Sequence, residues 1–261
     1  HYRLTGPGEA EFALLARPYE EAGRREVAAF VRRAERHGLR TIVFSASDVE
    51  PVMAASSVVL VQPGPTRGAQ PHATSVTLPY FFTDRAGPIR PRHEGSRPRV
   101  VFCGQAANRR GISTVNAVVR AALIARNRIH PTVVPPPLGG HLRLRAAALQ
   151  RLAEHPGVEH RFVIRDRYRA GAATQADVDR TQDEFDANLN DGDYALCVRG
   201  VGNFSARLYE ALSFGRIPVL VDTGGVLPFE DRIDWRQICV WVDPSALDQI
   251  VQEGILQLLM R

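Results

Sequence analysis

A short stretch between two apolar runs gathers the side chains of this chain that are best suited to bind an anion. It runs from Arg199 to Glu210 and reads RGVGNFSARLYE. Its glycines let the backbone approach a ligand closely, and the start of a helix presents free N–H groups and a partial positive charge. Phosphate groups bind at such helix starts. The stretch therefore predicts a diphosphate site, and the carboxylate of Glu210 further into the helix suggests a nucleoside diphosphate.

Each polar residue of this stretch has an expected role. Arg199 and Arg207 flank the turn and could make bidentate contacts to phosphate oxygens. Glu210, about one to two turns into the helix, could accept hydrogen bonds from the hydroxyls of a ribose. Asn203 or Ser205 could cap the helix. The other residues expected to bind the ligand are Gly200, Gly104, Arg110 and Asp222. The alternative interpretation is a structural turn with surface arginines, because short glycine motifs alone are unspecific.

The apolar runs around the stretch indicate the elements that position it. Residues 194–198 and 217–221 are short apolar runs of the kind found in buried strands. Between them the spacing predicts a helix from about Phe204 to Phe214. Gly215 should end that helix in a left-handed conformation. Asp222, Thr223, Gly224 and Gly225 follow the second strand and should face the same ligand.

The rest of the chain alternates between strand and helix signals, which predicts an α/β fold with parallel sheets. Further strands are expected at about 40–45, 57–61, 74–78, 99–103, 160–164 and 238–242. Further helices are expected at about 21–37, 113–126, 143–155, 175–190 and 246–260. Residues 88–98 are rich in Pro, Arg and Gly and form the expected linker. The linker divides the chain into domains at 1–95 and 96–261.

Residues 199–235 resemble the C-terminal core of the exostosin-type, GT47-like glycosyltransferases. Residues 210–220, EALSFGRIPVL, also resemble GT-B glycosyltransferases more broadly, and the runs at 99–110 and 162–171 fit the exostosin pattern. The resemblance implies a GT-B-like fold, with two Rossmann-type domains facing each other across a cleft. It also implies a nucleoside diphosphate sugar donor, most simply a UDP-sugar, and inversion at the anomeric carbon.

The resemblance assigns roles to the two domains and to two positions. It implies that residues 1–95 form a short acceptor-side domain and that residues 96–261 form the domain that binds the nucleotide sugar. Glu210 stands where the family commonly binds the ribose. Many GT-B enzymes carry an acidic residue eight positions earlier, where this chain has Gly202. That departure disfavours the retaining families that use the acidic pair.

An inverting transferase needs a base that takes the proton of the acceptor hydroxyl. Asp48, with Glu50 beside it, follows a strand of the first domain and is the candidate for this role. The alternative interpretation of Asp48 is a turn or helix N-cap residue. Three other residues are weaker candidates for the base, namely His72, His93 and Asp166.

No metal or cofactor is expected, because arginines and a helix N-terminus can stabilise a departing nucleoside diphosphate. The three cysteines, Cys103, Cys197 and Cys239, have no metal or disulfide spacing and should be buried apolar residues. Trp235 should also be buried, and Pro228, Phe229 and Asp234 are interpreted as packing residues.

The charge pattern limits the possible partners. The net charge is +5, and all 33 basic residues are arginines in runs no longer than two. Scattered arginines favour a solvated surface over a nucleic-acid patch, and a chain without lysine has no Schiff-base chemistry. The expected partners are the nucleotide-sugar donor and a glycan or glycoconjugate acceptor, with peripheral membrane association left open.

The sequence shows no secretory signal and no apolar run long enough to span a membrane. A leader or anchor upstream of His1 is left open, as is the cellular compartment. The predicted activity is that of a hexosyl- or glycuronosyltransferase in polysaccharide biosynthesis. The alternative is a non-catalytic module of the same fold that binds glycans or nucleotides.

Overall fold

The computed structural model describes residues 4–70, 72–89, 91, 97–106, 121–122, 124–125, 133–134 and 140–246. Three sequence predictions therefore fall largely outside the described residues: the linker at 88–98, the helix at 113–126 and the closing helix at 246–260. Arg110 and His93, two candidate site residues, also lie outside them.

The first sheet has four parallel strands in the order β1-β2-β3-β4. The strands are β1 (Phe12–Leu14), β2 (Arg40–Phe44), β3 (Val58–Gln62) and β4 (Thr74–Thr77). Helix α1 (Tyr19–Glu35) joins β1 to β2 and buries Val27 and Val31 against the sheet. The sequence predicted α1 and the last three strands. It missed β1, because three residues beside Gly and Pro carry no recognisable period.

The second sheet has five parallel strands in the order β6-β5-β7-β8-β9. The strands are β5 (Arg99–Gln105), β6 (Glu159–Arg165), β7 (Tyr194–Cys197), β8 (Ile217–Val221) and β9 (Val240–Val242). Among the described residues the helices with named bounds around this sheet are α2 (Gly140–Glu154), α3 (Gln175–Asn190), α4 (Ala206–Ser213) and the short α5 (Trp235–Ile238). Two 3-10 turns lie at Tyr168–Gly171 and Pro244–Ala246. The predicted α/β class with parallel sheets is confirmed.

Strand β7 is the centre of the second core, since all four of its residues are buried. Leu208 and Ala211 of α4 pack against it from one side. Gly215 follows α4 with φ +66°, the left-handed conformation that was predicted. All three cysteines are free and buried, as expected. Within the described part of the chain, no helix has the length and apolarity needed to cross a bilayer.

The two sheets contact each other through loops at the carboxyl ends of their strands. Thr66, after β3, forms an antiparallel bridge with Gly225, after β8. The backbone N–H of Arg67 donates to the carbonyl of Gly224 at 2.8 Å, and its guanidinium pairs with Glu230 at 3.0 Å. A second ion pair, Arg85–Asp186, joins the segment after β4 to α3 at 2.9 Å. The loops of both sheets thus meet around the turn before α4.

Candidate functional site

The turn between β7 and α4 is closed by its own backbone. The N–H of Gly200 donates to the carbonyl of Phe204 at 2.9 Å. Ser205 occupies the N-cap position of α4, as predicted, but its hydroxyl makes no capping bond. The backbone N–H groups of Ala206 and Arg207 have no acceptor among the described residues. The start of α4 therefore offers free donors to an anion.

Arg199 lies in this turn and is half-buried. Its guanidinium donates to the carbonyls of Gly200 at 3.4 Å and Val201 at 3.0 Å. Burial lowers its pKa to about 10, and the nearby carboxylates of Glu50 and Asp48 oppose that shift. Arg199 therefore stays positively charged at neutral pH. It could contact a phosphate group, as the sequence predicted.

Arg207 departs from the prediction that it would flank the turn as a phosphate contact. Its guanidinium is buried, donates to the carbonyl of Cys103 and lies 4.3 Å from the centre of the Phe102 ring. Burial lowers its pKa. Gly104, another predicted ligand residue, leaves room for this side chain, since a Cβ there would stand 2.8 Å from Arg207 Nη2. The geometry makes Arg207 a structural arginine that ties α4 to β5.

Asn203 is buried and connects the two sheets through its side chain. Its Nδ2 donates to Thr66 Oγ1 at 3.1 Å and to the carbonyl of Thr223 at 3.2 Å. Its Oδ1 accepts from the hydroxyl of Thr223 at 2.7 Å. Both ends of the amide are thus engaged by protein groups. Asn203 holds the turn in place.

We expect Asn203→Ala to lower the free energy of unfolding by about 1–3 kcal/mol, since it leaves buried polar groups without partners. Urea denaturation measures this change. Asn190→Ala is the matched control, because no hydrogen bond of the Asn190 side chain is present within the described residues. Equal losses in the two variants would contradict the bridging role of Asn203.

Asp222, at the end of β8, is also engaged within the protein. One carboxylate oxygen accepts from the N–H of Gly224 at 2.8 Å, and the other accepts from Trp241 Nε1 at 3.1 Å. The predicted donor-binding role of Asp222 would have to be shared with these bonds. In this structure Asp222 shapes the loop that follows β8.

Glu210 lies on α4 and is half-buried. No hydrogen bond to its carboxylate is present among the described residues, although Arg207 and Arg85 lie near enough to act on its charge. Burial raises the pKa of Glu210, and the two arginines oppose that shift. A half-buried carboxylate without a donor is costly unless a ligand supplies one. Ribose hydroxyls would do so.

Asp48 reaches the turn from the first sheet. The Ser47 hydroxyl accepts from the N–H of Val49 at 3.0 Å, and Glu20 of α1 accepts from the N–H of Ser47 at 3.2 Å. These bonds fix the loop that carries Asp48. The Asp48 side chain is exposed, and its Oδ1 accepts from the backbone N–H of Gly202 at 3.3 Å. A carboxylate of the first sheet therefore contacts the turn of the second.

Glu50, beside Asp48 in sequence, has a different environment. Its two carboxylate oxygens accept from the backbone N–H of Thr66 at 3.1 and 3.0 Å. Gln62 donates to the same carboxylate at 3.4 Å. Glu50 thus supports the loop after β3, and Asp48 is the carboxylate that is left accessible.

The contact between Asp48 and Gly202 gives a physical account of the glycine at that position. A Cβ on Gly202 would stand 2.6 Å from Phe204 Cε1 and 3.0 Å from Asp48 Oδ1. A side chain at position 202 would force Phe204 and Asp48 to shift. The glycine at position 202 therefore leaves room for the Asp48 carboxylate beside the turn.

The other predicted residues are the weaker candidates for the base and the residues that were expected to pack in the interior. His72 and Asp166 are exposed, and no bond of either side chain joins it to the turn in the described residues. Trp235 is buried, as predicted, and its indole N–H donates to the carbonyl of Pro228 at 2.8 Å. The packing interpretation of Phe229 was wrong, because this side chain is 48% exposed. Asp234 caps α5 by accepting from the N–H of Arg236 at 3.1 Å.

Two basic residues of α2 belong to the site and were missed by the sequence reasoning. Arg145 donates to the carbonyls of Gln105 at 3.1 Å, Arg199 at 2.9 Å and Val198 at 3.4 Å. Burial lowers its pKa to about 10. His141 lies four residues earlier on the same helical face. That spacing was visible in the sequence, but the partner carbonyls of Arg145 are 40 to 54 residues away.

His141 is held in its neutral form. Its Nδ1 is buried and has no hydrogen-bond partner within the described residues. Burial, followed by the charges of Arg145 and Arg199, lowers its pKa from 6.5 to about 4, and Asp48 opposes the shift. The folded protein therefore takes up this proton less readily than the unfolded chain does.

That pKa shift makes stability depend on pH. The contribution of His141 to the free energy of unfolding is complete above its unfolded pKa of 6.5. It is lost as the pH falls from 6.5 towards the folded pKa of about 4. For this half-exposed group we expect a loss of about 1 kcal/mol. Urea denaturation at pH 7 and pH 5 should show a smaller decrease for His141→Gln than for the native chain. Identical decreases would contradict the assignment.

Two cavities of different volume lie near the turn. A cavity of about 30 Å³, lined by Gly64, Arg199, Ser205, Asp222 and Trp241 among others, lies directly at the start of α4. A larger groove of about 420 Å³ adjoins it along Trp241 and is lined by Arg67, Glu230 and Arg236. A nucleotide needs several hundred cubic ångströms. A nucleotide could therefore bind at the start of α4 only if the loop after β3 moved away from α4.

No group of three or more His, Cys, Asp or Glu side chains that could hold a metal ion is present in the part of the chain that the structure describes. The sequence also contains two pairs of aspartates that are separated by one residue. Asp177 and Asp179 lie on α3, where Asp177 bonds Thr174 and Arg180. Asp191 pairs with Arg99 and Arg161, and Asp193 accepts from the N–H of Arg99, at the amino ends of the strands.

Part of the chain, including most of the second sheet, is similar to a known family. Residues 141–256 match the family model described as the exostosin GT47 domain. Over 67 residues the chain is 40% identical to Exostosin-1 of Drosophila melanogaster. These residues cover 26% of this chain and 9% of that protein.

Two plant relatives match a segment of similar length. Over 71 residues the chain is 39% identical to the probable glucuronosyltransferase GUT1 of Oryza sativa subsp. japonica. It is 39% identical, also over 71 residues, to the probable beta-1,4-xylosyltransferase IRX10 of Arabidopsis thaliana. Each segment covers 26% of this chain and 17% of the relative. The chain therefore spans only a small part of the length of the relatives it matches.

Proposed function

We propose that this chain transfers a sugar from a nucleoside diphosphate sugar to a hydroxyl of a glycan or glycoconjugate, because residues 141–256 match the model of the exostosin GT47 domain. The observation that carries the proposal is the meeting of two features. The start of α4 presents free backbone donors beside Arg199, and Asp48 of the other sheet contacts the same turn. The first feature suits a diphosphate, and the second suits a base.

The donor occupies the turn before α4. The N–H groups of Ala206 and Arg207 bind phosphate oxygens, and Arg199 adds a positive charge. Glu210 accepts the hydroxyls of the ribose, which relieves the cost of its unpaired carboxylate. Gly200 keeps the backbone close to the ligand. Arg207, Asn203 and Asp222 act by holding the loops through the contacts described above.

The two sheets form a GT-B-like pair of Rossmann-type domains, with the cleft between their facing loops. Residues 1–95 supply the acceptor side and residues 96–261 bind the donor. The support for this arrangement is that bridges and ion pairs join loops at the carboxyl ends of both sheets. Ligands of parallel α/β sheets bind at those ends.

The chemical step inverts the anomeric carbon. Asp48 takes the proton of the acceptor hydroxyl, whose oxygen forms a new bond to that carbon. The bond from the carbon to the diphosphate oxygen breaks, and its electron pair stays on the departing nucleoside diphosphate. Arg199 and the start of α4 stabilise that added charge, so no divalent metal takes part and no cofactor is needed.

The named relatives narrow the range of donors to test. The plant relatives are named as probable xylosyl- and glucuronosyltransferases. We therefore place UDP-xylose and UDP-glucuronate first among the candidate donors of this chain. Peripheral membrane association of the positively charged chain is part of the same proposal, and nucleic acid is not among its partners.

The test is release of UDP from each UDP-sugar in buffer that contains EDTA, with and without xylo-oligosaccharides as acceptors. The proposal predicts release that rises with acceptor and is unaffected by EDTA. Release that requires an added divalent cation would contradict the metal-independent step. Nucleotide binding without any release would favour the alternative, a non-catalytic module that binds glycans or nucleotides.

A further inference from the structure

The strand order of the second sheet reverses between β5 and β7, and the space at the carboxyl ends of these two strands is here called the crevice. From β5 the chain continues to β6 on one side, and then returns to β7, β8 and β9 on the other. In doubly wound sheets the loops on the two sides of such a point diverge and leave room for a ligand. The proposed donor turn forms one wall of this crevice.

Three basic side chains lie along the crevice. Arg145 joins its two walls, because it donates to the carbonyl of Gln105 at the end of β5 and to that of Arg199 after β7. Arg199 extends along the turn to the carbonyl of Val201. His141 stands one turn before Arg145 on α2 and is close enough to both arginines to feel their charges.

These groups have no direct anionic partner. The hydrogen bonds of both arginines go to backbone carbonyls, and neither forms an ion pair with the residues the structure describes. Asp48 and Glu50 act on Arg199 from a longer range. Each of these carboxylates is bonded elsewhere, Asp48 to Gly202 and Glu50 to Thr66.

Two polar atoms of the group are also unsatisfied. Arg145 Nε and His141 Nδ1 are buried and have no hydrogen-bond partner among the described residues. Buried polar atoms are nearly always paired in proteins, so an unpaired one indicates a missing ligand or water. Partly buried positive charge without a counterion is costly for the same reason. An anion in the crevice would relieve both costs.

We propose that this crevice binds the terminal phosphate of the donor, with Arg199, Arg145 and His141 as its contacts. The inference rests on the proposed function and extends it, since it separates the places of the two phosphates. The inner phosphate lies at the start of α4. The terminal phosphate, which carries the sugar, lies in the crevice, and the sugar is thereby brought towards Asp48.

The test compares a nucleoside diphosphate with its monophosphate by calorimetry, using UDP and UMP. His141→Gln should weaken UDP binding by about tenfold or more, as expected for one lost hydrogen bond to a charged group. UMP binding should stay within about twofold, because UMP has no terminal phosphate to lose. The matched control is His37→Gln, an exposed residue just after α1, which should change neither affinity.

The possible outcomes separate this inference from the proposed function. If wild-type protein binds UDP more tightly than UMP and His141→Gln keeps the same ratio, the crevice does not hold the terminal phosphate. If wild-type protein binds neither nucleotide, the proposed donor site itself fails, and this inference fails with it.

Discussion

Replacing Asp48 with asparagine is expected to slow sugar transfer by a factor of about 10²–10⁴, the usual contribution of a general base. Asparagine keeps the shape of the side chain and an oxygen that can still accept from the N–H of Gly202. The contact between the sheets should therefore survive, while the ability to take a proton is lost. Nucleotide affinity should change by less than about twofold, since Asp48 contacts no part of the nucleotide in this proposal.

The measurement is the initial rate of UDP release with acceptor present, next to the affinity for UDP. Asp183→Asn is the matched control, because Asp183 is an exposed residue of α3. A rate of Asp48→Asn that equals the rate of the control would remove Asp48 as the base. Asp48 would then keep only its structural role as the acceptor of the Gly202 N–H.

Gly64→Ala is expected to have the largest effect on stability. Gly64 has φ +61°, and a Cβ there would stand 2.5 Å from the Cβ of Phe204 and 2.8 Å from the carbonyl oxygen of Asn203. The substitution thus combines left-handed strain with a clash against the turn before α4. Together these should lower the free energy of unfolding by about 2–4 kcal/mol.

The same loop offers a control that isolates the clash. Gly68 has φ +74°, but a Cβ there would meet nothing within 4 Å. Gly68→Ala should therefore cost only the left-handed strain, about 1 kcal/mol. Urea denaturation of the two variants measures the difference. Equal losses would mean that the loop after β3 does not press against the turn, and the contact between the sheets would be in doubt.

Much of the second sheet could be predicted from the sequence because its signals are local. The apolar run of β7, the glycine at 215 and the run of β8 define a strand, a helix and a strand within about thirty residues. The structure places each of these elements within two residues of the prediction. The same dependence on local signals explains why β1 was missed, since each of its residues pairs with a residue of β2 that is 28 positions away.

The orientation of individual side chains could not be predicted, because it depends on distant partners. The sequence predicted that Arg207 flanks the turn and contacts phosphate oxygens. The ring of Phe102 and the carbonyl of Cys103, over 100 residues away, draw Arg207 inward instead. Arg145 was missed for the same reason, since its partner carbonyls belong to Gln105 and Arg199, which the order of the strands brings together.

The proposed donor site at the start of α4 is tested most directly by the thermal stability of wild-type protein and of Glu210→Ala in the presence of nucleoside diphosphates. Glu154→Ala is the matched control, since Glu154 is an exposed residue at the end of α2. The panel contains the uridine, guanosine, cytidine and adenosine diphosphates in buffer with EDTA. A ligand at about 100 times its Kd stabilises a protein by about 2.7 kcal/mol.

We predict that one nucleotide, UDP first, raises the melting temperature of the wild type and of Glu154→Ala, and that Glu210→Ala loses this shift. Loss of the shift in Glu210→Ala alone would place the ribose at Glu210. If no nucleotide shifts the wild type, or if Glu210→Ala responds as fully as the wild type does, the donor site does not lie at the start of α4.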